Sequence, residues 1–265
     1  MGATVQFSVN NAMEGTMILL LSILLVTCIW KKRLFLTTTP LIYLLSFSIL
    51  VHIVRIVIWS MYLQDVLLKY GALPFRFIYI LEYISLYSIT VAFYYYMEAL
   101  VIAGYQNIGV TYKPHQFIHT ALVEWGIVTS LIYAGALFVP SLYRVEMGRE
   151  IFSIPAYIFL LVMIKFACVC VIVLIIRHRK VINKHDALLS VFFVLFISFF
   201  SVIDELCNLC VSYVLMSLMI FLLYVRIDLH KGLLLERQEK EVVGEIYDNK
   251  SWRFWIYRSM GWHFI

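Results

Sequence analysis

Apolar runs of about 20 residues recur along the chain, and short polar or basic segments separate them. Runs of this length can cross the hydrocarbon core of a bilayer as helices. The pattern predicts seven such spans, the last two divided at Asp204 and Glu205 because 187–225 is too long for one. The predicted spans are 17–30, 40–63, 74–103, 115–138, 151–176, 187–203 and 206–225. We therefore predict an all-α membrane protein, a seven-transmembrane helix bundle.

The composition agrees with a lipid environment. Of 265 residues, 63% are apolar and 14% charged, and the mean hydropathy is +0.91. Soluble domains are about half apolar and a quarter charged. Helix breakers are few, with 11 Gly and 5 Pro, and strands of alternating polarity, as in an outer-membrane barrel, are not evident. We expect a multi-pass protein of the plasma membrane, with the lipid bilayer as its surroundings.

The distribution of Lys and Arg predicts the orientation. Alternate loops and the tail hold 15 basic residues on one side, against four on the other. Basic residues collect on the cytoplasmic side of membrane proteins. The C-terminus is therefore expected in the cytoplasm, and seven spans then place the N-terminus outside. The net charge of +5 comes from these short segments, and no nucleic-acid motif accompanies it, so no nucleic-acid partner is expected.

This orientation divides the chain into four parts. Residues 1–16 form an extracellular N-terminal segment, and 17–225 form the bundle. Residues 226–250 form a cytoplasmic juxtamembrane signalling helix. Residues 251–265, rich in Trp and Arg, suit a short helix on the inner leaflet.

Ionisable residues inside the spans are the candidate functional residues. Such groups are costly in lipid and usually face the bundle interior with a partner. Arg55 and Glu82 both lie about 12 Å from the outer face by helical rise, so we expect them to be level. His52 lies one turn from Arg55 on the same face. The pair either joins neighbouring helices or, with Asp204 and Glu205, lines an outward-open ligand pocket.

Two further sets of residues are candidates. Tyr79 and Tyr83 share one helix face with Glu82, which suits either a ligand-binding stripe or ordinary helix packing. Glu124 and Lys165 lie about 14 and 16 Å from the inner face by helical rise, so they are a second candidate intramembrane charge pair.

Catalytic and cofactor motifs are missing from the sequence. Neither a His-Glu-x-x-His nor a Gly-x-Ser-x-Gly motif occurs, and Cys207 and Cys210 have no second pair to complete a zinc site. The predicted seventh span has no Lys that could bind retinal. We therefore expect no enzyme activity, no metal and no cofactor.

The exit from the last span resembles a known arrangement. Residues 214–243 include LMSLMIFLLYVRIDLHKGLLLERQEKEV, an apolar run that turns abruptly into a charged helix. This resembles the membrane sensor regions of bacterial, Firmicute-like histidine kinases and diguanylate cyclases. In those proteins such a helix leads into a kinase or GGDEF output domain. The segment SWRFWIYRSMGWHFI departs from that pattern, so catalytic output is not assigned to this polypeptide.

The resemblance implies a sensor or receptor module. We expect it to sense a small-molecule or peptide ligand from outside or from the membrane, and to signal through the helix after the seventh span. It is expected to act as a homodimer or through a cytoplasmic kinase or cyclase partner, as in two-component systems. The alternative is a transporter or permease subunit whose polar path is lined by the buried charge pairs.

Overall fold

A computed structural model describes residues 3–30, 38–64, 66–114, 116–146, 149–207 and 213–226. These residues form eight helices and one short hairpin. The helices are α1 (Ala3–Trp30), α2 (Thr38–Leu63), α3 (Val66–Tyr70), α4 (Leu73–Asn107), α5 (Gln116–Ala136), α6 (Ile154–Arg177), α7 (Lys184–Cys207) and α8 (Tyr213–Arg226). Five of the described helices, α1, α2, α4, α5 and α6, are long and apolar enough to cross a membrane. The chain is a helical membrane protein.

Local sequence accounts for several helix ends. Pro74 and Pro155 lie in the first turns of α4 and α6, where a missing amide hydrogen breaks no helical hydrogen bond. Gly71 and Gly109 follow α3 and α4 with φ angles of +77° and +71°. This left-handed conformation favours glycine and is the usual way for a helix to end.

Two boundaries differ from the sequence-based expectation. Helix α1 begins at Ala3, so the polar residues before the first apolar run belong to the same helix as that run. The turn expected at Asp204 and Glu205 is wrong, because α7 continues through both residues to Cys207. Asp and Glu are tolerated within a helix, whereas Gly and Pro disrupt it, and neither of these occurs between 184 and 207.

Helix α4 forms the centre of the bundle and packs against α2, α5 and α6. Most of its apolar side chains are buried over many turns, as expected of a helix surrounded by others. The stacked rings of Phe93 and Phe193, whose centroids are 4.0 Å apart, join α4 to α7. Ser190 on α7 donates a hydrogen bond of 2.8 Å to the sulfur of Met97 on α4.

Contacts between helix ends show how the chain alternates direction. The guanidinium of Arg76, at the start of α4, donates to the Leu137 carbonyl after α5 at 3.1 Å. Near the opposite end of α4, the Tyr105 hydroxyl lies 3.2 Å from Nδ1 of His178, which follows α6. The ends of α4, α5 and α6 therefore meet as expected for successive antiparallel spans.

A two-stranded antiparallel hairpin connects α5 to α6. After a 3-10 turn at Pro140–Leu142, β1 (Tyr143–Glu146) pairs with β2 (Arg149–Phe152) in the register Tyr143 opposite Phe152. Phe152 is buried and its ring stacks on Tyr143 with centroids 4.7 Å apart. Strand β2 packs on α4, so the hairpin covers one end of that helix.

The chain divides into two compact units. The first, Met1–Phe221, contains α1 to α7 and the beginning of α8. The second is Leu222–Ile265, and its described part is the last turn of α8.

Candidate functional site

A buried polar network joins α1, α2, α4 and α8 within the first unit. Helical spacing brings the side chains together, since residues three or four apart lie on one helix face. His52 and Arg55 are three apart on α2, and Tyr213 and Ser217 are four apart on α8. We call this set the Arg55 network. Its members are Glu14, His52, Arg55, Glu82, Tyr213 and Ser217.

The Arg55 guanidinium lies between two carboxylates and an aromatic ring. Its Nη1 donates a hydrogen bond of 3.2 Å to Oε1 of Glu82, and its Nε lies 3.8 Å from Oε1 of Glu14. Its Cζ atom lies 4.6 Å from the centroid of the Tyr213 ring, which is cation–π geometry. One cation therefore contacts α1, α4 and α8 from its position on α2.

Glu82 accepts hydrogen bonds from two helices at the same oxygen. The Tyr213 hydroxyl donates to Oε1 at 2.6 Å, and Arg55 donates to the same atom. Hydrogen bonds to an ionised group are roughly twice as strong as neutral ones. Helices α2 and α8 are thus held together through a carboxylate of α4.

His52 forms the second half of the network. Its Nδ1 contacts Oε2 of Glu14, and its Nε2 lies 2.6 Å from the Ser217 hydroxyl. An ionised carboxylate only accepts hydrogen bonds. With Glu14 ionised and His52 neutral, Nδ1 therefore carries the ring proton and Nε2 accepts from Ser217. The imidazole thus bridges α1 and α8.

Burial and charge distinguish the members of the network. The side chains of Glu14 and His52 are fully buried, Glu82 is 5% exposed, and Arg55 is the most exposed of the four at 11%. Two carboxylates, those of Glu14 and Glu82, face the one guanidinium of Arg55. An unpaired charge is costly in a low-dielectric interior. The guanidinium therefore stabilises both carboxylates.

The structure places the predicted residues in different surroundings. Arg55, Glu82 and His52 are brought together, at the level that their depths predicted. Tyr79 and Tyr83 are buried in an aromatic cluster in which both rings contact Phe152. The Tyr83 ring also meets Tyr133 and Tyr157. These contacts favour helix packing over a ligand-binding stripe for the two tyrosines.

The remaining candidates lie on α5, α6 and α7. Asp204 and Glu205 lie in α7, and their side chains are outside the described residues. Glu124 is exposed on α5, Lys165 is half-buried on α6, and among the described contacts no ion pair joins the two. Their expected charge pair therefore stays a prediction.

Three members of the network were not among the sequence-based candidates. Glu14 was assigned to an extracellular segment, although Asn10 and Glu14 continue at helical spacing the face that carries Leu21, Leu24 and Cys28. That alignment is a usable sequence signal. Tyr213 and Ser217 gave no comparable signal, because Tyr and Ser are common on packed membrane helices.

A second polar cluster lies near the other end of α4. Nε2 of His119 lies 2.7 Å from a carboxylate oxygen of Glu98, which is buried. The rings of Tyr105 and Tyr112 stack with centroids 5.3 Å apart, and both meet the ring of His178 edge-on. Burial, together with the nearby Glu98 carboxylate, raises the pKa of Tyr112, so its phenol stays protonated at neutral pH. This cluster ties the ends of α4, α5 and α6 together.

Among the described residues, no group of three or more His, Cys, Asp or Glu side chains is placed to hold a metal ion.

Comparisons with protein-family models, with curated proteins and with solved structures found no match to the chain. The resemblance of residues 214–243 to kinase and cyclase sensor regions therefore stays a prediction, and positions 227–243 are outside the described residues.

Proposed function

We propose that the chain is a seven-span membrane sensor that detects an extracellular or membrane ligand and passes the signal through α8 to the cytoplasmic segment 226–250. One observation carries the proposal. Tyr213 and Ser217, on the last described helix, bond to Glu82 and His52 in the buried network. A change in the charge or occupancy of the network therefore acts directly on the helix that leads into that segment.

The proposed topology rests on the apolar helices and on the basic residues. Helices α7 and α8 would complete the seven spans with the five long apolar helices. Fifteen Lys and Arg residues then lie on the side of the tail and four on the other. By the positive-inside rule the tail is cytoplasmic and the N-terminus is outside.

The signal would arise from competition for Arg55. Its guanidinium is the most exposed part of the charged network, and a ligand with a carboxylate or similar anionic group would compete with Glu82 for it. The hydrogen bond from Tyr213 to Glu82 would then change, and α8 would shift. A ligand can shift the equilibrium between the two positions of α8 only by the difference between its affinities for them. The cytoplasmic segment would act on a kinase or cyclase partner, or across a homodimer.

The cytoplasmic segment offers a direct test. Residues 226–250 contain Arg and Lys, so trypsin cleaves there when the protein is held in lipid nanodiscs. We expect Arg55→Ala and Glu82→Gln to change the initial cleavage rate by about fivefold. This factor corresponds to a change of about 1 kcal/mol in the free-energy difference between the two positions of α8. Lys69→Ala, on the exposed helix α3, is the matched control and should leave the rate unchanged. Unchanged cleavage in both network variants, with the fold intact, would refute the proposed coupling.

The alternative is a transporter subunit. Its supporting observation is the fully buried contact of His52 with Glu14, because paired ionisable groups inside a membrane are typical of proton paths. In this alternative, Glu124 and Lys165 would form a second part of the path. Proteoliposomes loaded with a pH-sensitive dye distinguish the two functions. A sensor gives no proton or solute flux, whereas a transporter gives flux that Glu14→Gln abolishes.

A further inference from the structure

The chain carries an excess of positive charge at the ends of α4 and α6. Segments 108–115 and 177–186 contain five Lys or Arg residues and one carboxylate, that of Asp186. All five basic side chains are exposed, whereas Asp186 is half-buried. This end of the bundle therefore presents a positively charged surface.

Contacting rings hold the two segments together. The rings of Tyr112 and His178 meet edge-on with centroids 5.3 Å apart, and Tyr105 at the end of α4 contacts both. Burial and the Glu98 carboxylate raise the pKa of Tyr112, and the guanidinium of Arg177 opposes this effect, so Arg177 lies near that phenol. The two segments thus form one surface.

A glycine fixes the second segment against α4. A Cβ atom at Gly104 would lie 2.5 Å from Cγ1 of Val181 and 2.9 Å from its carbonyl oxygen, so the close approach requires glycine. Four of the exposed cations are adjacent in sequence to Tyr112, His178 or Val181. We call them the basic rim: Lys113, Arg177, Arg179 and Lys180. Their backbone is positioned by these contacts, because neighbouring Cα atoms are only about 3.8 Å apart.

Exposed apolar side chains beside the basic rim indicate its level in the membrane. Helix α6 is long and apolar enough to cross a bilayer, and Arg177 is its last residue. Ile176, immediately before it, is 64% exposed, and Phe117 in the first turn of α5 is 84% exposed. A span that changes from exposed apolar residues to cations is leaving the hydrocarbon core. The basic rim therefore lies where phospholipid headgroups lie.

We propose that the basic rim binds the headgroups of anionic phospholipids, such as phosphatidylglycerol, and that Ile176 and Phe117 contact their acyl chains. Clusters of basic residues at the ends of membrane helices attract anionic headgroups, and Arg can bind a phosphate through two hydrogen bonds. An acidic protein segment would match the charge but not the exposed apolar side chains beside it.

This lipid site requires no sensing activity. The orientation of the chain decides only which leaflet supplies the lipid. Failure of the site would therefore leave the proposed function untouched, and the reverse also holds.

Native mass spectrometry of the full chain in a nonionic detergent tests the site. Titration with phosphatidylglycerol or with phosphatidylcholine gives the affinity for the first bound lipid of each kind. The parent chain should prefer phosphatidylglycerol. Because each cation near an anionic headgroup changes binding about fivefold, Arg177→Gln combined with Arg179→Gln should weaken phosphatidylglycerol binding by about tenfold or more. Binding of phosphatidylcholine should stay unchanged.

Two controls separate loss of charge from damage to the fold. Lys69→Gln removes an exposed cation from α3, beyond the opposite end of α4, and should leave the preference unchanged. Arg177→Lys combined with Arg179→Lys keeps both charges and should retain most of the affinity. If the double Gln variant fails to fold, added salt replaces it. Ions screen exposed charges, so the preference of the parent chain should then fall.

Four results would overturn the proposal. They are equal binding of the two lipids by the parent chain, a preference that salt leaves unchanged, equal losses in the double Gln and double Lys variants, and an equal loss in Lys69→Gln. Tighter binding of a polyglutamate peptide than of phosphatidylglycerol would also overturn it, in favour of an acidic protein partner.

Discussion

Tyr213 donates a hydrogen bond of 2.6 Å to the same Glu82 oxygen that accepts from Arg55. Three helices therefore meet at one carboxylate oxygen. Burial makes this arrangement matter, because a buried polar group that loses its partner carries the full cost of its desolvation. The position of α8 is accordingly tied to the charge state of residues on α2 and α4.

The hydrogen bond from Tyr213 gives the first prediction. Tyr213→Phe keeps the ring over Arg55 but removes the hydroxyl, so the free energy of unfolding should fall by about 1.5–3 kcal/mol, the range for hydrogen bonds to charged groups. Denaturation in mixed micelles measures it. Tyr43→Phe, exposed on α2, is the control and should change little. Equal stability of Tyr213→Phe and the parent chain would contradict the bond.

Removing the cation should be more damaging. Arg55→Ala leaves Glu82 and Glu14 buried without their guanidinium, and breaking a buried pair costs about 3–5 kcal/mol. A double-mutant cycle with Glu82→Gln measures the coupling, and the second substitution should cost much less in the Arg55→Ala background. Additive losses would show that the two side chains do not interact.

Packing of α5 against α4 depends on a glycine. A Cβ atom at Gly126 would lie 2.8 Å from Cε1 of Tyr87, whose hydroxyl is held by the Leu122 carbonyl at 2.6 Å. Gly126→Ala should therefore destabilise the protein by about 1–3 kcal/mol through overpacking. Gly135→Ala on the same helix meets nothing within 4 Å and should be neutral or stabilising by about 0.4–1 kcal/mol. Thermal denaturation compares the two, and equal effects would argue against the close approach.

Orientation is checked by cysteine labelling in intact cells, with the five native cysteines replaced. A membrane-impermeant maleimide should label Lys69→Cys, in α3, and leave Arg179→Cys unlabelled until the cells are opened. Both positions are exposed on the protein surface, so access to the reagent decides the result. Labelling of Arg179→Cys in intact cells would reverse the proposed topology.

The helical membrane character could be predicted from the sequence, because a long apolar run in lipid satisfies its backbone hydrogen bonds within itself by forming a helix. Depth along a helix follows from a fixed rise, so the level match of Arg55 and Glu82 could be predicted from position alone. The division between α7 and α8 could not, because the apolar pattern of 187–225 continues through it and no Gly or Pro marks a turn.

Side-chain direction was harder to predict than depth. The contact of Trp125 with Phe166 places Glu124 and Lys165 at one level, but Glu124 is exposed on α5 whereas Lys165 is half-buried on α6. Direction depends on how α5 is rotated against α6, which the depth of a residue does not determine. Glu14 was missed for a different reason. A polar residue beyond an apolar run is usually solvated. Glu14 is buried because it contacts His52 and Arg55, which lie on α2.

A distance between spin labels tests most directly whether the Arg55 network positions α8. The labels replace Leu218 on α8 and Val173 on α6, both of which are exposed. Pulsed electron paramagnetic resonance in nanodiscs then gives the distance distribution. Glu82→Gln and Tyr213→Phe should shift or broaden it, while Gly135→Ala should leave it unchanged. Superimposable distributions in all variants, with each protein folded, would contradict the coupling of the network to α8.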